Sequence, residues 1–491
     1  MKSVYKAEKE IAKNGSVIPV FENGRLMHSR YNPEAEAQKM ADINSRYTVV
    51  IGLGGGYHIQ ALLQKNPEMK IIVVESSEDD FAVLQDIPCV KAIFATGNVV
   101  FCTKKELSKT LLSSYIPIFH GDLGILSQRA WAQNFPDAEC EIRAIINATL
   151  KNIAADFSVQ AHFGRHWHRN IFQNLKYAAT HTLSPLPMSD GKTAAVIAAG
   201  PSLDKSLSKI AQMREKYFVI ACDTAFSALT RRGINADAVV SIDAQNVSHR
   251  HFFHFPENPP LCVFDLGAPH SSVLAAEKSG AKILFSSSMH PLSVLAREFG
   301  DFPYLESGAG TVAIAASDFA RISGFDKIEL FGADFSYSRG KPYASGTYFD
   351  DIFGEESNRL RNSETAFDTL MFRTPLIKKE NGVFSTEMLE KYASTTADFF
   401  AEHAFVQQEK NLYCATKKAE PRKESARLFS FDKFTKELLC ETEKLLLEKN
   451  PEKYRAAFFA HLPVMAAMRE KNIPFFDLLK LAYESSVRYT K

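Results

Sequence analysis

Between residues 186 and 335 the chain alternates short runs that are almost wholly apolar with stretches of helical spacing, and this alternation constrains the fold more than any other feature. Ala194–Ala199, Phe218–Cys222, Ala238–Asp243, Leu261–Asp265, Lys282–Phe285 and Lys327–Phe331 read as strands. GPSLDKSLSKIAQM, Thr224–Arg232 and Thr311–Ser323 read as turn-and-helix segments between them. A strand apolar on both faces needs cover on both sides, and parallel strands obtain it from their own crossover helices. The pattern therefore predicts an α/β domain on a doubly wound parallel sheet.

At 491 residues the chain is long enough for about three domains of 100–200 residues each. The turn-forming stretch Pro185–Gly191 marks one boundary. Residues 1–185 read as a Rossmann-like domain that ends in helices. Its core is YTVVIGLGGGYHIQALLQ followed by the strand Lys70–Glu75, and Asn32-Pro33 opens an earlier helix. Residues 186–420 form the central domain. Within it, 336–384 is polar and without firm periodicity, which predicts a lid. Ser385–Gln408 reads as helix and Lys410–Ala415 as a last strand, and 421–491 carry the amphipathic spacing of an α-helical bundle.

Composition removes several function classes. Lys and Arg total 58 against 57 Asp and Glu, so no net field favours nucleic acid or anionic lipid. No apolar run approaches the ~20 residues of a membrane span, and the N-terminus lacks the apolar region of a signal peptide. Seven cysteines without a CxxC pair argue against a disulfide scaffold or a structural zinc site. The expectation is a cytoplasmic protein with neither a nucleic-acid partner nor membrane insertion.

Three groups of residues carry weak chemical signals. Gly52–Gly56 after a strand, with Glu75 at the end of the next, could hold a phosphate and a ribose, although any tight strand-to-helix turn selects glycine. His162 and His166 share one helix face and His168 follows, a pattern that reads chiefly as helix packing. His249, His251 and His254 follow a strand end, where they would stand beside a ligand.

The stronger signal is the set of turns in the central domain. Gly200-Pro201-Ser202, Asp223-Thr224, Asp243-Ala244-Gln245-Asn246 and Gly332-Ala333-Asp334-Phe335 each follow a strand. Ser307-Gly308-Ala309-Gly310-Thr311 opens a helix whose N–H groups suit an anion. Ligands of open α/β sheets bind at the carboxyl ends of strands where the topology reverses, so these turns predict a nucleotide-type ligand.

VIAAGPSLDK, FVIACDTAFSALTRRGINADAVVSIDAQN, the run from SGAGTVAIAASDFARISGFDKIELFGADFSYS, LMHSRYNPEAEAQKM with IGLGGGYHIQALL, and FGRHWHRNIFQNL resemble the motility-associated factor (Maf) flagellin glycosyltransferases over about residues 25–415. The central part is also similar to bacterial CMP-sialic-acid-dependent sialyltransferases. The resemblance implies transfer of a nonulosonic acid, of the pseudaminic or legionaminic type, from its CMP-activated donor to Ser or Thr of flagellin, in support of motility. It implies donor contacts from Gly200, Pro201, Ser202, Leu203, Asp223, Thr224, Gln245, Asn246, Ser307, Gly308 and Thr311. Tyr337 and Tyr343 would face the leaving phosphate, and Asp334 or Asp243 would serve as base.

The chain departs from the sialyltransferase pattern in ways that bear on chemistry. Ala199, Asp223 and Asp243 stand where sialyltransferases have asparagines, and no histidine occurs between His290 and His403 to serve as a lid base. Two carboxylates near a phosphate favour a cation between them, so Mg2+ is the one cofactor left open. That keeps a second resemblance in play, to the pterin diphosphokinase (MptE-like) family, which transfers diphosphate from ATP. A third option is a flagellin-binding export factor without catalysis.

Overall fold

The computed structural model describes residues 3–307, 310–338, 340–360, 362–418, 420–423, 428–469 and 473–490. It divides into two compact units, Met1–Val159 and Gln160–Lys491, with the boundary inside the helix Pro136–Thr180.

The first unit opens with an antiparallel pair, β1 (Tyr5–Ile11) and β2 (Val17–Phe21). Its sheet is parallel, in the order β5 (Val99–Thr103), β4 (Lys70–Glu75), β3 (Tyr47–Ile51), β6 (Leu123–Ser127). Every residue of β3 is buried, which explains its unbroken apolar run. The helix Pro33–Met40 starts where Asn32 accepts a hydrogen bond from Ala35 N at 2.9 Å, with Pro33 at its first position. β1 escapes sequence reading because YKAEKEI is rich in Lys and Glu and buries only Tyr5.

The second unit carries an eight-stranded sheet. Its parallel strands are β7 (Thr193–Ile197), β8 (Tyr217–Cys222), β9 (Ala238–Ser241), β10 (Leu261–Asp265), β11 (Ile283–Ser286) and β12 (Lys327–Phe331). Three short strands follow, β13 (Tyr337–Ser338), β14 (Ile377–Lys378) and β15 (Val383–Ser385), and then the antiparallel pair β16 (Phe405–Glu409) and β17 (Leu412–Ala415). The order is β11-β10-β9-β8-β7-β12-β17-β16. From β7 the chain builds outward to β11 and then returns to the other side of β7 as β12. The topology therefore reverses between β7 and β12.

Burial on both faces follows the alternation along β7. Ala195 and Ile197 enter one core with Ile171, Phe172, Leu175, Phe226 and Phe264, whereas Ala194 and Val196 enter another with Phe319, Ala320 and Phe399. The first of these cores explains why the unit begins at Gln160 rather than at the Pro185 turn: the last turns of the long helix are part of it. It also takes in Phe434, Leu438, Ala457 and Ala460, so the helices Phe431–Glu448 and Arg455–Met468 pack with the central sheet. At Gly164, on the long helix Pro136–Thr180, a β-carbon would overlap the Pro463 carbonyl oxygen, which makes glycine the residue that lets that helix touch Arg455–Met468.

The segment expected to be an irregular lid is partly regular. It contains the helices Tyr348–Glu355 and Ser363–Phe372 and the small sheet β13-β15-β14. These pieces are short and carry few buried side chains, so their periodicity is too brief to register in sequence. The strand at Phe405–Glu409 lies partly inside the stretch expected to be helix; the helix itself is Glu387–Glu402.

Candidate functional site

The reversal between β7 and β12 is built on two glycines. Gly200 N donates to Gly332 O at 2.7 Å, and Ser202 N donates to Asp334 Oδ2 at 2.7 Å, so the turns after the two strands are bonded to each other. A β-carbon on Gly200 would lie 2.5 Å from Gly332 O and 2.6 Å from Asp334 Oδ2. Gly332 has φ +65°, and a β-carbon there would overlap the Ala198 carbonyl oxygen. Phe335 holds φ +46°, an uncommon conformation for a bulky residue that recurs at functional turns.

Asp334 is thus the acceptor that fixes the Gly200 turn. Ser202 is half-buried beside Pro201 at the start of the helix Leu203–Gln212. Leu203, expected among the donor contacts, is instead wholly buried in the core, because the first helical turn points it at the sheet.

The neighbouring strand ends hold the two other carboxylates. Asp223 is 2% exposed; its Oδ2 accepts from Ser241 Oγ at 2.8 Å, and its Oδ1 from Thr224 N at 2.7 Å and Thr224 Oγ1 at 3.2 Å. Asp243 Oδ1 accepts from Gln245 N at 3.0 Å, and Oδ2 from Ser248 Oγ at 2.6 Å. Each oxygen of both side chains therefore has a protein donor. Gln245 and Asn246 are exposed, and Asn246 Oδ1 accepts from Arg169 Nη2 at 2.8 Å. β7, β8 and β9 are adjacent, which sets successive turns about 5 Å apart.

His251 lies in the same group. It is 4% exposed and meets the Tyr348 ring edge-on, with centroids 4.3 Å apart. Burial pulls its imidazole below the ordinary value, and Asp223 and Asp243 oppose that shift.

The helix Val312–Ile322 packs on β7, β8 and β9 between β11 and β12. A crossover helix runs against its strands, so its N-terminus stands at their carboxyl edge. Thr311 caps it through Ala313 N, and Gly310 N donates to Ser307 O at 2.7 Å. Gly308 lies outside the described residues.

The lid is fastened over these turns. Ala344 N donates to Ala199 O at 2.8 Å, Ser345 N to Asp204 Oδ1 at 3.1 Å, and Ser227 Oγ to Gly346 O at 3.1 Å. This fixes Tyr343, whose hydroxyl is pushed up to about 12 by burial, with Tyr337, Asp223 and Tyr392 adding to the rise and Arg373 opposing it. Burial also raises Tyr337, again against Arg373, and raises Tyr348, which feels Asp223 and Asp243. The Tyr392 hydroxyl comes within 3.6 Å of where a β-carbon on Gly310 would stand, which brings the helix Glu387–Glu402 up to Gly310. The sequence singles out Tyr337 and Tyr343; the structure sets beside them Tyr348 and Arg373, in and just after lid helices too short to show a period, and Tyr392 from the helix Glu387–Glu402.

Two other motifs are structural. Glu75 is fully buried: Oε1 accepts from Leu53 N at 2.6 Å and Tyr5 Oη at 3.0 Å, and Oε2 from Trp131 Nε1 at 2.8 Å. Gly55 N donates to His28 Nε2 at 2.8 Å. The glycine turn of the first unit is therefore filled by the protein's own side chains, and Glu75 has no oxygen left without a partner for a ribose. His162 is exposed and His168 buried, and no group of three His, Cys, Asp or Glu able to hold a metal occurs among the described residues. A cavity of about 520 Å³ lined by His181, Leu186, Leu284, Phe302 and Phe429 contains none of the site residues. No helix among the described residues is long and apolar enough to cross a membrane.

Residues 166–340 match the family described as 6-hydroxymethylpterin diphosphokinase MptE-like. An uncharacterized protein of Treponema pallidum (strain Nichols) is 39% identical over 156 residues, 31% of this chain and 74% of the relative. Another from the same organism is 32% identical over 236 residues, 47% of this chain and 76% of the relative. The structure of a Maf glycosyltransferase from Magnetospirillum magneticum AMB-1 superposes with a TM-score of 0.55 and 13% identity, covering 99% of this chain and 91% of that one. The chain belongs to the family of the two Treponema proteins, carries an MptE-like region, and shares its fold with the Maf glycosyltransferase.

Proposed function

We propose that this chain, a member of that family, is a cytoplasmic glycosyltransferase that moves a nonulosonic acid of the pseudaminic or legionaminic type from its CMP-linked donor to Ser or Thr of flagellin. The observation that carries this reading is the closed group at the β7/β12 reversal, where strand-end turns, a helix N-terminus and a tyrosine-bearing lid converge. The likeness in fold over 99% of the chain to a Maf glycosyltransferase supports it.

In this mechanism the helix N-terminus at Thr311 receives the phosphate through its backbone N–H groups, and the Ser202 hydroxyl donates to it from the Gly200–Ser202 turn, whose own amides are held by Gly332 and Asp334. Gln245 and Asn246 reach the cytidine. Tyr337 and Tyr343 donate to the phosphate as negative charge grows on it, and their raised hydroxyl values keep them protonated donors. Arg373 supplies the positive charge that an acidic sugar and a phosphate together require. The lid excludes water that would otherwise hydrolyse the donor. Displacement at the anomeric carbon inverts it.

A second reading, diphosphate transfer from ATP to a pterin, is favoured by the family match over residues 166–340. There Asp223 and Asp243 would hold Mg2+ together with the substrate's own phosphates. Two carboxylates on neighbouring strand ends suit a Mg2+ bound largely through phosphate. The test is incubation with a CMP-nonulosonate and flagellin, read by intact mass. The glycosyl-transfer reading predicts flagellin heavier by whole sugar residues. Unchanged flagellin together with ATP- and Mg2+-dependent pterin diphosphate formation would establish the other.

A further inference from the structure

Transfer to a hydroxyl needs a base, and the carboxylates first considered for that role are committed elsewhere. Asp334 holds the Ser202 amide, and both oxygens of Asp243 hold the loop that follows β9. His251 is differently placed. Its ring is 4% exposed, lies edge-on to Tyr348 at 4.3 Å, and leaves Nδ1 buried without a hydrogen-bond partner. An unpaired buried polar atom is costly, so its retention beside these strand ends points to a partner that arrives with the reaction.

We propose that His251 is the general base of this site, a catalytic residue that takes the proton of the acceptor hydroxyl. The inference rests on the glycosyl-transfer reading. As the acceptor oxygen bonds to the anomeric carbon, the bond from that carbon to the phosphate oxygen breaks and its electron pair leaves on CMP. The hydroxyl proton passes to the imidazole, which later releases it to water. Because the Tyr348 edge covers the ring, the acceptor reaches it only when the helix Tyr348–Glu355 shifts. The titratable groups that act on His251 are Asp223 and Asp243 from the strand ends and His249 from its own segment, with the Tyr348 ring packed against it from the lid. The imidazole must be neutral to act, so kcat/KM falls as pH drops.

The test uses the full-length chain with His251→Gln and His251→Ala, CMP binding by calorimetry, and transfer to flagellin by mass. Unchanged CMP affinity with transfer reduced ~10²–10⁴-fold is expected, together with partial rescue of His251→Ala by imidazole and loss of the acid limb of kcat/KM. A His251→Gln chain that transfers at the wild-type rate overturns the proposal. If either variant does not fold, the wild-type profile decides: an acid limb within about pH 5–8 supports the base, and a flat profile there overturns it. A wild-type chain that binds ATP and Mg2+ and never modifies flagellin instead defeats the underlying glycosyl-transfer reading.

Discussion

Gly332→Ala is the substitution that most sharply tests the geometry of the strand reversal. Three costs add at this position. Alanine at φ +65° is disfavoured by about 1–2 kcal/mol. The new methyl overlaps the Ala198 carbonyl, and relieving such crowding costs about 1–3 kcal/mol more. The shift also weakens the 2.7 Å bond from Gly200 N, leaving an amide short of its acceptor for about 1 kcal/mol or more. Together these give roughly 3–6 kcal/mol. At about 2 °C per kcal/mol for a unit of this size, the second unit should melt roughly 6–12 °C lower.

Gly280→Ala is the matched control. Its φ of +80° is equally unfavourable, but nothing lies within 4 Å of the added methyl. It should cost only about 1–2 kcal/mol. Differential scanning calorimetry on both variants separates backbone conformation from close approach. If the two depress Tm equally, the proximity of the β7 and β12 turns is wrong, and the site built on it falls with it.

Arg373→Gln should weaken binding of a CMP-linked acidic sugar about tenfold or more by calorimetry while Tm stays within a degree or two, since Arg373 is exposed; equal donor affinity would remove Arg373 from the site. Tyr343→Phe should lower kcat more than it raises KM for the donor, because the lost bond strengthens as the phosphate departs; a pure KM effect contradicts that role. In the second unit His290 and His461 are buried, and burial pulls them down to about 3 and about 4. Their unfolded forms take up protons below about pH 6.5 and their folded forms do not, so stability falls as pH drops through that value, by roughly 2 kcal/mol for each at pH 5. Urea melts at pH 7 and pH 5 check this; equal midpoints contradict it. Glu75 has the opposite sign: burial raises it to about 7. The first unit then loses stability as pH rises from 4.5 to 7, by roughly 3 kcal/mol, and Glu75→Gln should remove that part of the pH dependence while leaving the rest.

The fold was legible where residues are forced by burial on both faces. The runs at β3, β7 and β8 could hardly be anything but covered parallel strands, and the Asn32-Pro33 start follows from capping alone. β1 was hidden because an edge-like pair can be built from Lys and Glu, and the lid helices because eight to ten residues give too few turns to show a period. The strand-end turns were legible as turns that the structure brings together, since glycine and aspartate at those places answer backbone needs that the sheet imposes. Sequence could not show which polar residues are already satisfied. Glu75 looks like a ribose ligand until Tyr5, Leu53 and Trp131 are seen to occupy it. Asp334 looks like a base until it is seen holding Ser202. Leu203 belongs to the turn motif and yet faces the core. Tyr348 and Arg373 join the candidate site only through tertiary folding of the lid, and Tyr392 only through the packing of the helix that follows it.

A crystal structure of the protein soaked with CMP tests the central claim most directly. The cytidine phosphate should lie between the Gly200–Ser202 turn and the Thr311 helix start, within hydrogen-bond reach of Tyr343. Density for it in the Phe302–Phe429 cavity or at the Gly52–Gly56 turn, with the β7/β12 reversal left empty, would contradict the account.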